Sequence, residues 1–150
     1  MGIMILPKKA SWALLTLYFI FDNVASYWAI TRMGGRELNL VIAPLVETYP
    51  FLYFLCIPAQ IIAIYLIALF LREVVVAMTR HWKFFDKTII ERIILASIAI
   101  YWPIANSSLN VMFIFGFRGQ GYLWGTSTSI GITVALGYGL LSLYLFSRKK

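Results

Sequence analysis

Residues 51–71 read FLYFLCIPAQIIAIYLIALFL, a run that contains no charged side chain. About 20 consecutive apolar residues are enough to cross the hydrocarbon core of a bilayer as an α-helix. The run is continuous rather than alternating, and this favours a helix over a membrane-spanning β-strand. It therefore predicts a transmembrane helix and places the chain among the integral membrane proteins.

Three further apolar stretches accompany this one, at about residues 11–31, 88–115 and 127–146. Together the four predict an all-α fold class, a polytopic four-transmembrane-helix bundle that forms a single domain over residues 1–150. The composition agrees with this prediction, because 61% of the residues are hydrophobic and 13% are charged. In soluble domains about a quarter of all residues are charged. A water-soluble domain of 150 residues could not bury so much apolar surface.

The connection between the first two predicted helices combines a turn with a short apolar piece. Residues 40–46 are apolar but too short to span a bilayer, and Pro44 lies among them. Such a segment is typically interfacial or re-entrant. The turn before it contains four residues of interest: Gly34, Gly35, Glu37 and Asn39.

Basic residues predict the orientation of the helices. If the N-terminus is cytoplasmic, that side carries ten of them: Lys8, Lys9, Arg72, Arg80, Lys83, Lys87, Arg92, Arg148, Lys149 and Lys150. The other side carries three: Arg32, Arg36 and Arg118. Cytoplasmic loops of membrane proteins are enriched in lysine and arginine. The chain is therefore expected to lie in the cell membrane with both termini facing the cytoplasm. The same distribution accounts for the net charge of +7 without a nucleic-acid partner.

Polar side chains within the predicted helices are costly in lipid, so each requires a reason. Asp22 lies at the centre of the first helix, and Ser26 follows four residues later on the same face. Gln60 lies at the middle of the second helix, and Asn106 and Asn110 lie four residues apart in the outer half of the third. These side chains are predicted to converge on one polar cavity beneath the external turn. The alternative is that Asp22 only joins helices through hydrogen bonds.

The third predicted helix has two further features. Pro103 removes a backbone donor and leaves a carbonyl group four residues earlier without its usual partner. Glu91 and Arg92 are expected to form a solvated helix start that pairs with Arg72 or Glu73.

Small residues recur every four positions along the fourth predicted helix, at Ser127, Gly131, Ala135 and Gly139. In lipid, this spacing lets two helix backbones approach closely. The stripe predicts a packing face whose partner is either another helix of this chain or a helix of another subunit.

Residues 22–26 (DNVAS) and 34–39 (GGRELN) resemble the signature of an uncharacterised family of small prokaryotic multi-helix membrane proteins. That signature is an aspartate, a threonine four residues later, then a glycine and a Glu-x-Asn-Pro turn before an apolar segment. Here a serine replaces the threonine and a leucine replaces the proline, and the resemblance covers about residues 15–71. It implies no reaction, since the family has no assigned activity. It implies a multi-helix membrane fold and a special role for three residues, Asp22, Glu37 and Asn39.

The sequence contains no recognisable set of metal ligands. Cys56 is the only cysteine and His81 the only histidine, so no cysteine–histidine metal site can be assembled. We therefore predict neither a metal nor a cofactor.

Three classes of function are left open by these residues. The leading prediction is an accessory or structural subunit of a larger membrane complex, because the chain contains no recognisable catalytic pair and its helices carry a packing stripe. The alternatives are a small-solute or proton transporter acting as an oligomer, and an intramembrane enzyme that uses Asp22 and Glu37 as acid and base. The expected partners are the lipid bilayer and either other membrane subunits or further copies of the chain.

Each class makes a structural demand. An accessory subunit should lack a water-accessible cavity. An enzyme requires Asp22 and Glu37 to reach a common point. A transporter requires a polar path that continues inward past Asp22.

Overall fold

The structure, a computed structural model, describes residues 5–78 and 86–148, without the side chains of residues 120–122. Over these residues the chain is helical and contains no β-strand, which confirms the all-α prediction. Four helical stretches are long and apolar enough to cross a membrane: Lys8–Met33, Pro50–Met78, Lys87–Ile114 and Leu123–Ser147. Only 11% of the most apolar part of Pro50–Met78 is buried inside the chain, so its surface suits a lipid environment.

Six α-helices make up the described chain. They are α1 (Lys8–Met33), α2 (Ala43–Thr48), α3 (Tyr53–Met78), α4 (Lys87–Trp102), α5 (Ser108–Ile114) and α6 (Gln120–Ser147). A 3-10 turn at Pro50–Leu52 leads into α3, and a π-helical turn at Pro103–Ser107 joins α4 to α5. The short apolar segment predicted between the first two spans, residues 40–46, thus overlaps the first part of α2.

Helix α4 lies at the centre of the arrangement and packs against α1, α3 and α6. Helices α3 and α6 make little contact with each other, and an apolar groove of about 490 Å³ separates them over α4. The core lies between α1, α3 and α4, where Leu15, Phe19 and Leu95 are fully buried. The ring of Phe19 meets that of Trp102 edge-on, with 4.7 Å between centroids. Such close packing holds helices together in a membrane, where apolar burial gives little net gain.

Pro103 explains the irregular segment in the third span. Proline has no backbone N–H and its ring clashes with the preceding turn, and the chain responds with the π-helical turn before α5 continues. Insertions of this kind are common at functional sites. After this turn Ser107 and Asn110 lie beside Asp22 of α1, and Asn106 lines the same cavity as Asp22.

Ion pairs connect the helix ends near the N-terminus. Glu91 pairs with Lys8 at 2.6 Å and with Arg72 at 3.6 Å, and Glu73 pairs with Arg72 and Lys87. The predicted pairing with Arg72 is present, but the prediction of a solvated position is wrong for Glu91, which is 8% exposed. The reason is that the ends of α1, α3 and α4 meet at this residue.

The described basic residues divide between two ends of the bundle, as the order of the helices requires. Lys8, Arg72 and Lys87 lie at the end with the ion pairs. Arg118 lies at the other end, where its guanidinium carbon is 4.1 Å from the centre of the Phe113 ring. Five of the residues named above lie outside the described residues: Arg80, His81, Lys83, Lys149 and Lys150.

The stripe of small residues on α6 faces α4 and the π-helical turn. A Cβ atom added to Gly131 would lie 3.0 Å from the ring of Tyr101 and 3.3 Å from Cβ of Ala105. One added to Gly139 would lie 3.2 Å from a serine hydroxyl of α4, and Ala135 between them is buried. The stripe therefore packs within this chain.

We expect Gly131→Leu to lower the thermal unfolding midpoint of the purified protein, since the new side chain must displace Tyr101 and Ala105. Overpacking of this kind costs about 1–3 kcal/mol. The matched control is Gly137→Leu in the same helix, where an added Cβ meets nothing within 4 Å. Thermal unfolding in mild detergent would measure both, and equal midpoints would contradict the packing of the stripe against α4.

Candidate functional site

A polar cavity of about 210 Å³ lies at the end of the bundle that carries the α1–α3 connection. Helices α1 and α3, the segment from Trp102 to Asn110 and the connection itself form its walls. All five side chains of the predicted polar cluster line it: Asp22, Ser26, Gln60, Asn106 and Asn110. The chain thus brings together polar groups that are up to 88 residues apart in sequence.

The four residues of the external turn have different positions. Glu37 and Asn39 line the cavity, whereas Gly34 and Gly35 are not among its lining residues. Gly34 ends α1 in a left-handed conformation with φ of 64°, which favours glycine. Gly35 packs tightly, because an added Cβ would lie 3.0 Å from the ring of Phe113.

Asp22 lies on the inner wall and is 7% exposed. Its Oδ2 accepts a hydrogen bond from Nε1 of Trp102 at 2.5 Å, and its Oδ1 accepts one from Nδ2 of Asn110 at 3.3 Å. The buried hydroxyl of Ser107 also interacts with the carboxyl group, without a hydrogen bond of ordinary geometry. The hydrogen-bonding partners of Asp22 are therefore neutral donors rather than a cation.

Asn23 joins α1 to α3 beside this carboxyl group and is 3% exposed. Its Nδ2 donates to the carbonyl oxygen of Phe19 and to Oε1 of Gln60, each at 2.7 Å. Its Oδ1 and the Nε2 of Gln60 make no hydrogen bond within the described chain, and both residues line the cavity. A hydrogen bond between two membrane helices stabilises their association by about 1–2 kcal/mol at most. The two unused atoms leave this pair able to bond other partners in the cavity.

Glu37 holds the mouth of the cavity in place. Its Oε2 accepts a hydrogen bond from the hydroxyl of Tyr53, and its Oε1 accepts one from the backbone N–H of Asn39 at 2.8 Å. Its own backbone N–H donates to Oε1 of Glu47 at 3.0 Å. The side chain of Asn39 accepts from the N–H of Val41 at 3.0 Å, a turn that asparagine favours. These bonds satisfy the backbone of an irregular segment, which would otherwise need water.

The carboxyl groups in the cavity wall belong to Asp22 and Glu37. No lysine or arginine of residues 5–78 and 86–148 forms an ion pair with either of them. A cleft with charge of one sign and low-dielectric walls concentrates ligands of the opposite sign. Ionised Asp22 and Glu37 would therefore attract cations.

Sequence reasoning missed three aromatic lining residues, Tyr53, Trp102 and Trp124. One signal was available for Trp102, because a buried indole N–H usually finds an acceptor and Asp22 was the charged acceptor predicted within the spans. Asn23 was also absent from the predicted polar cluster, although it makes the bond that joins α1 to α3.

Two features of the cavity bear on its chemistry. The hydroxyl of Ser26 makes no hydrogen bond to a base among the described side chains, whereas the hydroxyl of Tyr53 donates to Glu37. Towards the other end of the bundle, the packed core with Leu15 and Phe19 closes the floor. The arrangement is thus a polar cavity with a closed floor.

Comparisons of the chain with protein-family models, with curated proteins and with solved structures found no match. The resemblance of residues 22–26 and 34–39 to an uncharacterised family accordingly stays a prediction. The function of the chain must therefore be inferred from the geometry of its cavity.

Proposed function

We propose that this protein binds a small solute within the membrane, in the polar cavity between α1, α3 and the π-helical turn. The observation that supports this proposal is the convergence of Asp22, Gln60 and Asn106, from three separate segments, on one cavity of about 210 Å³. The site would serve a transporter or a solute receptor. Because the floor is closed, passage across the membrane would require a second conformation or a second chain.

Unused hydrogen-bonding groups support a ligand rather than a purely structural role. The side chains of Ser26 and Asn106 make no hydrogen bond to the described part of the chain. Among the same residues, Oδ1 of Asn23 and Nε2 of Gln60 also have no partner. At membrane depth an unsatisfied polar group costs several kcal/mol. A cluster that served only to join helices would satisfy its own members, whereas these groups are left for water or a solute.

The cavity also weighs against the leading sequence prediction. An accessory subunit was expected to lack a water-accessible cavity, and the structure contains one with a polar wall. An enzyme using Asp22 and Glu37 is the third candidate, because both residues line the same cavity.

We further propose that the cavity opens on the outer side of a cell membrane and that both termini are cytoplasmic. The ten-to-three distribution of basic residues supports this orientation. The segment before α2 would then lie in the outer interface rather than re-enter the membrane. Leu40 and Val41 are 85% and 87% exposed and would contact lipid at that depth.

Thiol labelling tests the cavity and its orientation together. In a Cys56→Ala background, Ser26→Cys should react with a cationic, membrane-impermeant thiosulfonate added outside intact cells, since Ser26 lines the open cavity. Ser129→Cys is the matched control, because this serine lies on the exposed surface of α6 and would face lipid. It should not react from either side.

Two results would contradict the proposal. If Ser26→Cys reacts only after denaturation, the cavity is not accessible to water and the solute-binding role fails. If it reacts only in inverted vesicles, the cavity opens to the cytoplasm and the proposed orientation is wrong.

A second candidate, the accessory subunit, is favoured by the apolar groove between α3 and α6. Its floor on α4 includes Ile94, Ser97 and Ile98, and a transmembrane helix of a larger subunit could pack there. A native particle that contains larger polypeptides in fixed ratio would support this role. A particle of this chain alone would leave lipid as the occupant.

A further inference from the structure

We propose that the solute is a small organic cation, an amine or ammonium compound whose nitrogen is held between Asp22 and Glu37. This inference rests on the proposed function and names the chemical class of its ligand. The charge, the hydrogen-bonding capacity and the size of the cavity each support it.

The charge comes from two carboxylates without basic partners. The ion pairs among the described residues place Lys8, Arg72 and Lys87 with Glu73 and Glu91 at the far end of the bundle. These cations are thus far from the cavity, and Arg36, which precedes Glu37 in the chain, is not among the lining residues. An ammonium group would supply the charge that the wall lacks.

The hydrogen-bonding capacity also fits a donor-rich group. A carboxylate offers about four acceptor sites, and the protein uses two on Asp22 and two on Glu37. The free Oδ1 of Asn23 adds another acceptor on the same wall. The side chain of Asn106, on the same wall, makes no hydrogen bond to the described residues and offers a further acceptor.

The remainder of the lining suits the carbon part of such a solute. Tyr53, Trp102 and Trp124 line the cavity together with Ile42 and Leu109, and aromatic rings attract organic cations. An apolar cavity of about 150 Å³ holds benzene, so about 210 Å³ would accept a slightly larger molecule. The described residues include no group of three acidic, histidine or cysteine side chains that could hold a metal ion, and this favours an organic cation over a metal.

Protection of an engineered thiol provides the test. The protein carrying Cys56→Ala and Ser26→Cys is purified in lipid nanodiscs and labelled with a small uncharged thiosulfonate. The labelling rate is measured with n-butylammonium, tetramethylammonium, 1-butanol or butyrate, at constant ionic strength set by potassium chloride. At about ten times its Kd, a bound cation should slow labelling about tenfold, and 1-butanol and butyrate should leave the rate unchanged.

Asp22→Asn provides a second measurement in the same background. It should keep the labelling and lose the protection by the cations, because the amide cannot supply the negative charge. The control Glu73→Gln removes a carboxylate at the opposite end of the bundle and should leave the protection unchanged. The comparison of the four solutes uses intact Asp22, so it decides the question even if Asp22→Asn does not fold.

The outcomes separate the two proposals. Equal protection by 1-butanol and the cations, or stronger protection by butyrate, would overturn the assignment of a cationic ligand. Normal labelling without protection by either cation would also overturn it, while the solute-binding role would stand. Failure of Ser26→Cys to react in the absence of solute would overturn the binding site itself.

Discussion

Phe19→Ala should lower the free energy of unfolding of the helix bundle by about 2–4 kcal/mol. This is somewhat less than the cost of the same truncation in the core of a soluble protein. Phe19 is completely buried and packs between Trp102 and the core formed by Leu15 and Leu95. In a membrane the transfer of an apolar side chain contributes little, so the cost comes from lost van der Waals contacts and the cavity that remains. Unfolding in mixed micelles, followed by tryptophan fluorescence, would measure the change.

Phe21→Ala is the control for this truncation, since it removes the same side chain from the same helix. Phe21 is 38% exposed and would face lipid. Surface substitutions usually change stability by no more than about 0.5 kcal/mol, so the effect of Phe21→Ala should stay below about 1 kcal/mol. A similar effect of the two substitutions would show that α1 does not pack in the orientation described.

Trp102→Phe should also lower stability, by about 1–3 kcal/mol, because it leaves a buried acceptor without its closest donor. The indole N–H donates to Oδ2 of Asp22 at 2.5 Å, and phenylalanine has no donor to replace it. The carboxyl group would then keep only the longer bond from Asn110. The same unfolding measurement applies.

A double-mutant cycle with Asp22→Leu isolates this hydrogen bond from the packing of Trp102 on Phe19. The interaction energy should be about 1–2 kcal/mol, the upper part of what hydrogen bonds between membrane helices contribute. Trp124→Phe serves as the control, because Trp124 lines the same cavity and is 46% exposed. Additive effects of Trp102→Phe and Asp22→Leu would mean that the bond contributes nothing to stability.

Part of the candidate site could be predicted from the order and depth of the polar residues. Helical periodicity placed Asp22 and Ser26 on one face, and the alternating direction of the spans brought Gln60 to the depth of Asp22. These predictions need only the rise per residue and the length of an apolar run. The structure places these side chains around one cavity.

The hydrogen-bonding partners could not be predicted in the same way. Asn23 bonds Gln60 across 37 residues of sequence, and Trp102 bonds Asp22 across 80. Which side chains meet depends on the rotation of each helix about its axis and on the π-helical turn after Pro103. Neither follows from the spacing of residues within a single helix.

Local composition was sufficient to predict the all-helical character, the number of helices of spanning length and the division of basic residues between two ends. Each apolar run forms its own backbone hydrogen bonds without help from distant residues. Contacts between helices, in contrast, make α4 central, pack the stripe on α6 within the chain and bury Glu91. They also place polar groups from α1, α3 and the segment after Pro103 around one cavity. The physical reason is that the relative rotation and separation of the helices select among pairings that the sequence permits equally.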